Sequence, residues 1–437
     1  MLKGKTVAPL TLGCKVNQYE TDGMIELLKE AGMTAVSFEE KADVYLINTC
    51  SVTNMADKKS RQMIHRAKKL NPDAVVIAAG CYVQAAKDKL MEDDRISIII
   101  GNNKKKDIVQ ILEDYLEIGV TDEGMLDIAA EKEYEPLTIN STLEHTRAYV
   151  KIQDGCNQFC SYCIIPYVRG RIRSRELASI TEEVERLART GVKEIVLTGI
   201  HISSYGKDKE NEVGLADVID AISKIESIER IRLGSLEPGI ITDTFIDRIV
   251  DNKKVCPHFH LSLQSGCNTV LKRMNRKYTC EEYFEKCEML RKAFDRPALT
   301  TDVIVGFPGE TDEEFQETVD YLTKLNLYEM HIFKFSPRQG TVAAGMRDQI
   351  GPEIKNQRSD VLLALSEKNK HAYEASFRGE TLEVLIEEKV RRNGKDGYRG
   401  HTERYIDIFV EEECMHRICG REVDIINHIV QIPYGME

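Results

Sequence analysis

Apolar and polar positions alternate along this chain in three successive rhythms. From Val7 to about Gly119, the short apolar runs TVAPLTL, ADVYLINT and AVVIAAG are separated by the amphipathic stretches NQYETDGMIELLKEAG and NMADKKSRQMIHRAKKL. Strand-length runs between helical repeats predict βαβαβ, a small parallel α/β domain over residues 1–121 with its loops at the strand carboxyl ends. Residues 122–145 are polar, lack strong periodicity and read as a linker. From Ala148 the runs AYVKIQDG, EIVLTGI, RIRLGS, HFHLSL, ALTTDVIVG and EMHIFKF alternate with helical patterns such as Thr181–Thr190, Leu215–Ile225, Thr242–Val250, Glu281–Phe294 and Glu313–Leu325. Six strands so spaced predict a partial (β/α)6 barrel over residues 146–375, with chemistry at the strand carboxyl ends and a helix after Gly351 as connector. From about Ser376 the pattern changes to strands and turns, with Asn393-Gly394 between two of them. This predicts a small antiparallel OB-like barrel over residues 376–437.

At 437 residues, with 42% hydrophobic and 30% charged residues, the chain has enough apolar material for several cores. No apolar run approaches the roughly 20 residues of a membrane span, and the amino terminus carries no signal-like segment, so a cytoplasmic protein without a membrane is expected. In a reducing compartment the twelve cysteines point to metal or catalysis rather than disulfides. The net charge of −12 argues against a uniformly basic nucleic-acid clamp, although local basic patches can bind phosphates.

The barrel's first strand runs into Gly155-Cys156-Asn157-Gln158-Phe159-Cys160-Ser161-Tyr162-Cys163, with the spacing C-x3-C-x2-C. Chance would place about 0.01 such triplets in a chain of this cysteine density. Three thiolates suit a four-iron cluster with one iron left open. A tetrahedral zinc site competes, but it wants a fourth ligand nearby. The spacing is the signature of the radical S-adenosylmethionine enzymes, which the sequence as a whole resembles. That resemblance implies S-adenosylmethionine on the open iron, cleaved by one electron to a 5′-deoxyadenosyl radical. It also implies cofactor-binding roles for Tyr162, Thr198 and Gly199, Ser235 and Glu237, Gln264, and Val305 and Gly306, each of which otherwise reads as turn chemistry.

In the first domain, Cys14, Cys50 and Cys81 each follow a predicted strand, so parallel pairing would bring them to one sheet edge. Taken alone they also read as small buried thiols. TLGCKVNQYET, NTCSV, AAGCY and CNQFCSYCIIPYVRGR all resemble the methylthiotransferases, over essentially the whole chain and ending in what looks like a TRAM domain. Within that family Cys14, Cys50 and Cys81 match the ligands of a second 4Fe-4S cluster, which carries or donates sulfur. Cys256, Cys267, Cys280, Cys287, Cys414 and Cys419 match no family ligand and read as packing or surface residues, although Cys414 and Cys419 could pair on oxidation.

KVNQYET resembles the type that methylthiolates carbon 2 of N6-threonylcarbamoyladenosine beside the tRNA anticodon. The types acting on isopentenyladenosine and on a ribosomal protein remain alternatives, as does a non-catalytic iron–sulfur sensor. In the family, one S-adenosylmethionine methylates a cluster sulfur and a second yields the radical that removes the adenine hydrogen, so no acid/base dyad is expected. His201, His258 and His260 read as core or supporting residues. An electron donor, which the sequence does not identify, is also required. For tRNA, the basic candidates are Lys58, Lys59, Arg61, Arg66, Lys68 and Lys69, then Arg169, Arg171, Arg173 and Arg175, and in the terminal barrel Lys389, Arg391, Arg392, Arg399 and Arg404. Tyr398 or Tyr405 is available to stack on a base.

Overall fold

The computed structural model describes residues 1–119, 125–140, 146–210, 213–420 and 425–435. Its first domain is a five-stranded parallel sheet ordered β2-β1-β3-β4-β5, comprising β1 (Thr6–Thr11), β2 (Thr34–Ala35), β3 (Val44–Thr49), β4 (Val75–Gly80) and β5 (Ile98–Ile100). Every residue of β3 is buried, as a central parallel strand covered on both faces requires. The register sets Thr11 beside Asn48 and Thr49 beside Gly80, so these three strands end level. Cys14, Cys50 and Cys81 therefore leave the sheet at one edge.

The expected linker is packed down where it is described, its residues 122–124 and 141–145 lying outside the described residues. Leu137 and Ile139 join the apolar core of the barrel, and the Tyr19 hydroxyl donates to the Leu137 carbonyl at 2.6 Å.

Six parallel strands follow in the order β6-β8-β9-β10-β11-β12: β6 (Arg147–Asp154), β8 (Glu194–Gly199), β9 (Arg230–Leu233), β10 (His258–His260), β11 (Ala298–Val305) and β12 (Glu329–Lys334). The Ile231–Val255 and Leu236–Leu261 bridges connect β9 to β10, and a two-residue antiparallel β7 (Arg173–Ser174) edges β6. Along β6, Ala148, Val150 and Ile152 pack under the outer helices. The two-residue alternation therefore turns Arg147, Tyr149 and Gln153 inward. By the same alternation the inner face carries Glu194, Arg232, His258, His260 and Asp302. The lumen is accordingly polar, unlike the apolar layers that fill a closed barrel.

The terminal unit is an antiparallel half-barrel ordered β15-β14-β13-β16, with β13 (Thr381–Arg392), β14 (Lys395–Thr402), β15 (Asp407–Glu411) and β16 (Ile429–Pro433). Asn393 and Gly394, at φ 52° and 81°, make its two-residue turn. A helix, Glu412–Cys419, stands where the sequence suggested only strands and acids; Met415 is its one buried side chain, too little to show a helical repeat. Arg230 and Arg232 dock this unit on the barrel by donating to the carbonyls of His401, Glu383, Glu403 and Thr402.

Candidate functional site

The loop after β6 begins at Gly155 (φ 72°), where an added Cβ would lie 1.8 Å from the Arg171 carbonyl oxygen, so the turn requires glycine. Beyond it, the backbone N–H of Gln158 donates to Cys156 Sγ at 3.4 Å, and Arg276 Nη1 donates to Cys160 Sγ at 3.3 Å. Arg276 also donates to the Ser262 carbonyl and to the Tyr278 hydroxyl, which fixes the guanidinium beside the loop. Burial pushes the Cys156 thiol up to about 11 and the Cys163 thiol to about 12. Such thiols ionise near neutrality when a metal cation takes the place of the proton.

The second triplet lies across a buried seam. Gly13 passes so close to Cys50 that an added Cβ would stand 2.9 Å from its Sγ. Arg169, which follows the first cysteine loop, donates from Nε to Cys81 Sγ at 3.2 Å and from Nη2 to Asn17 Oδ1 at 2.7 Å. Asn17 in turn donates to the Leu12 and Thr49 carbonyls, tying the segments that carry Cys14 and Cys50. Arg169 also pairs with Glu20 and with Asp154, while Lys105 and Lys151 reach Glu20 at 2.8 and 2.7 Å and Arg173 reaches Asp154 at 3.8 Å. Four buried cations thus face three buried carboxylates, the third being Glu135 beside Lys105 and Lys151. Burial opposes ionisation of Glu20, yet Arg169, Lys105 and Lys151 hold its carboxyl well below the usual carboxylate range. The positive excess suits anionic thiolate ligands beside it.

A tetrahedral zinc ion would draw its sulfurs to about 3.8 Å of one another, given Zn–S bonds of about 2.3 Å. Among the described residues, the ligand-type side chains whose donor atoms all lie within 4.8 Å are His260, Asp302 and His331, so neither cysteine triplet is drawn in that far.

A cavity of about 220 Å³ opens beside Cys163. Tyr162, Cys163 and Gln264 line one side, Val52 and Thr53, which follow Cys50, line another, and Asp302 and Phe333 extend it into the barrel lumen. Gln264 holds a left-handed backbone, φ 79°, with its N–H on the Asp302 carbonyl. Glu237 accepts from Gln158 Nε2 at 2.8 Å and lies 3.2 Å from His201 Nε2, which places it at the first cysteine loop; Ser235 meets Ser262 at 2.8 Å. Thr198 is buried at the end of β8, and a Cβ on Gly199 would crowd the Gln153 carbonyl oxygen at 2.9 Å.

Other sequence-derived candidates lie elsewhere. Val305 packs into the apolar core and the Gly306 N–H donates to Glu310 at 3.0 Å, so neither lines the cavity. Arg169, Arg173 and Arg175 are buried, not an RNA-facing patch, because the seam's carboxylates demand cations. Arg404 is also withdrawn: it donates to the Arg296 and Asp295 carbonyls and covers the Phe377 ring. Tyr405 is enclosed by Arg147, Arg232, His258 and His401 and leaves no face for a base. Lys389, Arg391, Arg392 and Arg399 remain at the surface, each near an acidic residue. Lys58, Lys59 and Lys69 are exposed on the helix Asn54–Leu70. Cys256, Cys267, Cys280 and Cys287 are buried, and Cys414 and Cys419 are free thiols on one helix.

The sequence reading took Arg169 for a tRNA contact and did not single out Arg276 or Arg338. Arg338, beyond β12, clamps the first domain through Ser51, Asn54 and Asp57. For Arg169 the signal was its place six residues after Cys163; for the other two, nothing in the local pattern distinguishes them.

A family model described as the Radical SAM superfamily matches residues 150–322, and one described as Uncharacterized protein family UPF0004 matches residues 6–101. The threonylcarbamoyladenosine tRNA methylthiotransferase MtaB of Bacillus subtilis (strain 168) is 42% identical over 430 residues, 98% of this chain and 93% of that one. MtaB of Aquifex aeolicus (strain VF5) is 40% identical, over 92% and 96% of the two chains. The tRNA-2-methylthio-N(6)-dimethylallyladenosine synthase of Thermoanaerobacter pseudethanolicus (strain ATCC 33223 / 39E) is 36% identical, over 94% and 89%. Among solved structures, the radical S-adenosylmethionine methyltransferase TsrM of Kitasatospora setae, with cobalamin and a 4Fe-4S cluster bound, superposes with a TM-score of 0.56 at 16% identity, covering 78% of this chain and 77% of that one, and so shares its fold. A cavity walled by Cys163 and by the segment that follows Cys50, joined to nearly full-length identity of this order, leads to one conclusion: the chain belongs to the tRNA methylthiotransferase family of radical S-adenosylmethionine enzymes.

Proposed function

We propose that this protein transfers a methylthio group to carbon 2 of N6-threonylcarbamoyladenosine beside the anticodon of tRNA. In this reading Cys156, Cys160 and Cys163 hold a 4Fe-4S cluster that binds S-adenosylmethionine, and Cys14, Cys50 and Cys81 hold a second 4Fe-4S cluster. Bound there, these groups supply the radical that removes the adenine hydrogen and the sulfur that replaces it. The observation that carries the reading is the cavity, with Cys163 on one wall and the segment following Cys50 on another.

The chain's own contribution is positioning and the exclusion of water. Tyr162 and Gln264 shape the cavity, Ser235 and Glu237 would receive the ribose of S-adenosylmethionine, and Thr198 and Gly199 its methionyl amino group. Arg276 and Arg169 donate hydrogen bonds to the sulfurs of Cys160 and Cys81, which tunes such clusters electrostatically. Lys389, Arg391, Arg392 and Arg399 give the terminal unit a phosphate-binding face. An electron donor of unidentified kind completes the reaction, and a tRNA substrate sets it in the cytoplasm. No helix of the described residues is long and apolar enough to cross a membrane.

The test offers reconstituted enzyme four substrates: tRNA carrying threonylcarbamoyladenosine, unmodified tRNA, isopentenyladenosine tRNA and ribosomal protein. Methylthiolation of the first alone is expected. Product on isopentenyladenosine or on ribosomal protein instead would overturn the substrate assignment.

A further inference from the structure

Lys15, next to Cys14, begins the helix Lys15–Glu30, and its ammonium lies 5.9 Å from the centre of the Tyr149 ring and feels the charges of Arg232, Arg147 and Glu194 on the inner face of the barrel. The other cations of this region are neutralised: Arg147 lies 3.5 Å from Glu387, and Arg232 lies 2.7 Å from Glu194. Among the described residues, no carboxylate or carbonyl pairs with Lys15. The wall below it is polar and incompletely bonded. His258 has an unpartnered Nδ1, and its imidazole is held neutral by burial and then by the charges of Arg232, Lys15, His260 and His331. His260 pairs with Asp302 at 3.4 Å, and Asp302 lines the cavity walled by Cys163 and by the segment that follows Cys50. A polar path therefore runs from that cavity to an ammonium that no carboxylate bonds, Glu194 acting on it only from a distance.

In adenine, carbon 2 and the 6-amino nitrogen flank N1 on one edge of the ring. A base that presents carbon 2 to the sulfur-bearing triplet must carry its N6 substituent close beside that triplet, where Lys15 stands. A threonylcarbamoyl substituent ends in a free carboxylate, whereas an isopentenyl substituent has no charge and no acceptor. We propose that the lumen receives the N6 arm of the substrate and that Lys15 is the residue that selects it, pairing its ammonium with the threonyl carboxylate. The assignment rests on the proposed substrate and specifies which side chain recognises it.

The experiment compares two forms of one substrate, tRNA bearing threonylcarbamoyladenosine and the same tRNA with the threonyl carboxylate converted to its methyl ester. For each enzyme the ratio of kcat/KM on acid to that on ester is recorded. The ratio is internal to a preparation, so a variant with less iron remains informative. A charge-assisted pair of this kind predicts that the wild type favours the acid by about 10- to 100-fold. Lys15→Gln should bring the ratio close to one, with the loss falling on the acid, and Lys15→Arg should restore most of it. A Lys15→Gln enzyme with the wild-type ratio, or a wild type indifferent to esterification, would overturn the role of Lys15 while leaving the substrate assignment standing. A wild type inactive on both forms but active on isopentenyladenosine tRNA would overturn both.

Discussion

Replacing Arg169 by Met would show how far the buried seam holds the two sites together. The side chain is fully buried and bonds to Glu20, Asp154, Asn17 and Cys81 Sγ. Methionine fills much of the volume but none of the bonds. Glu20 would keep Lys105 and Lys151, and Asp154 would keep Lys151 at 2.6 Å, so no carboxylate is orphaned and the loss belongs at the lower end of the 3–5 kcal/mol typical of a broken buried pair. About 3 kcal/mol, at a denaturant slope of about 3 kcal/mol/M, lowers the urea midpoint by about 1 M. Anaerobic urea titration followed by tyrosine fluorescence measures the shift. Burial opposes ionisation of both Glu20 and Asp154, yet the cations around them depress both carboxyls. A depressed carboxyl stabilises the fold fully above its unfolded value of about 4 and loses that contribution as pH falls through the folded value. The gap between the two proteins must therefore be flat from pH 6 to 8. A midpoint shift below about 0.3 M, or a gap that changes across that range, would refute the seam as described.

Three further outcomes follow from the same geometry. Ala at Cys156, Cys160 and Cys163 together should lower the iron of reconstituted protein from about eight to about four per chain, and colorimetric iron assay decides it. Gly13→Ala places a Cβ against Cys50 Sγ at a backbone φ of 108°, so it should lose iron from the first domain while residues 146–375 keep theirs, as Mössbauer spectra would reveal. Arg276→Met removes the donor on Cys160 Sγ and should make the reduction potential of that cluster more negative without loss of iron; an unchanged potential would show that the contact is only structural.

The six barrel strands, the level ends of β1, β3 and β4, and both cysteine triplets were legible because strand length, helical repeat and thiol spacing are local signals. The motif Lys15-Val16-Asn17-Gln18-Tyr19-Glu20-Thr21 was legible as a family mark but not as machinery. Asn17, Tyr19 and Glu20 turn out to be buried, and their partners Thr49, Leu137 and Arg169 lie 32, 118 and 149 residues away. Arginines in sequence look alike whether they meet phosphate or a buried carboxylate; Arg169, Arg173, Arg175 and Arg404 went inward because Glu20, Asp154, Glu183 and backbone carbonyls required donors there. Tyr405 was lost as a base-stacking candidate for a related reason, since the docking of the terminal unit on β9 and β10 encloses it.

The division of labour between the two triplets is tested most directly by one reaction run with the Cys14→Ala, Cys50→Ala, Cys81→Ala enzyme, S-adenosylmethionine, a reductant and threonylcarbamoyladenosine tRNA. Liquid chromatography with mass spectrometry quantifies 5′-deoxyadenosine and methylthiolated nucleoside from the same tube. The account predicts that 5′-deoxyadenosine still forms and that no methylthio group reaches the tRNA; methylthiolation at the wild-type level would contradict it.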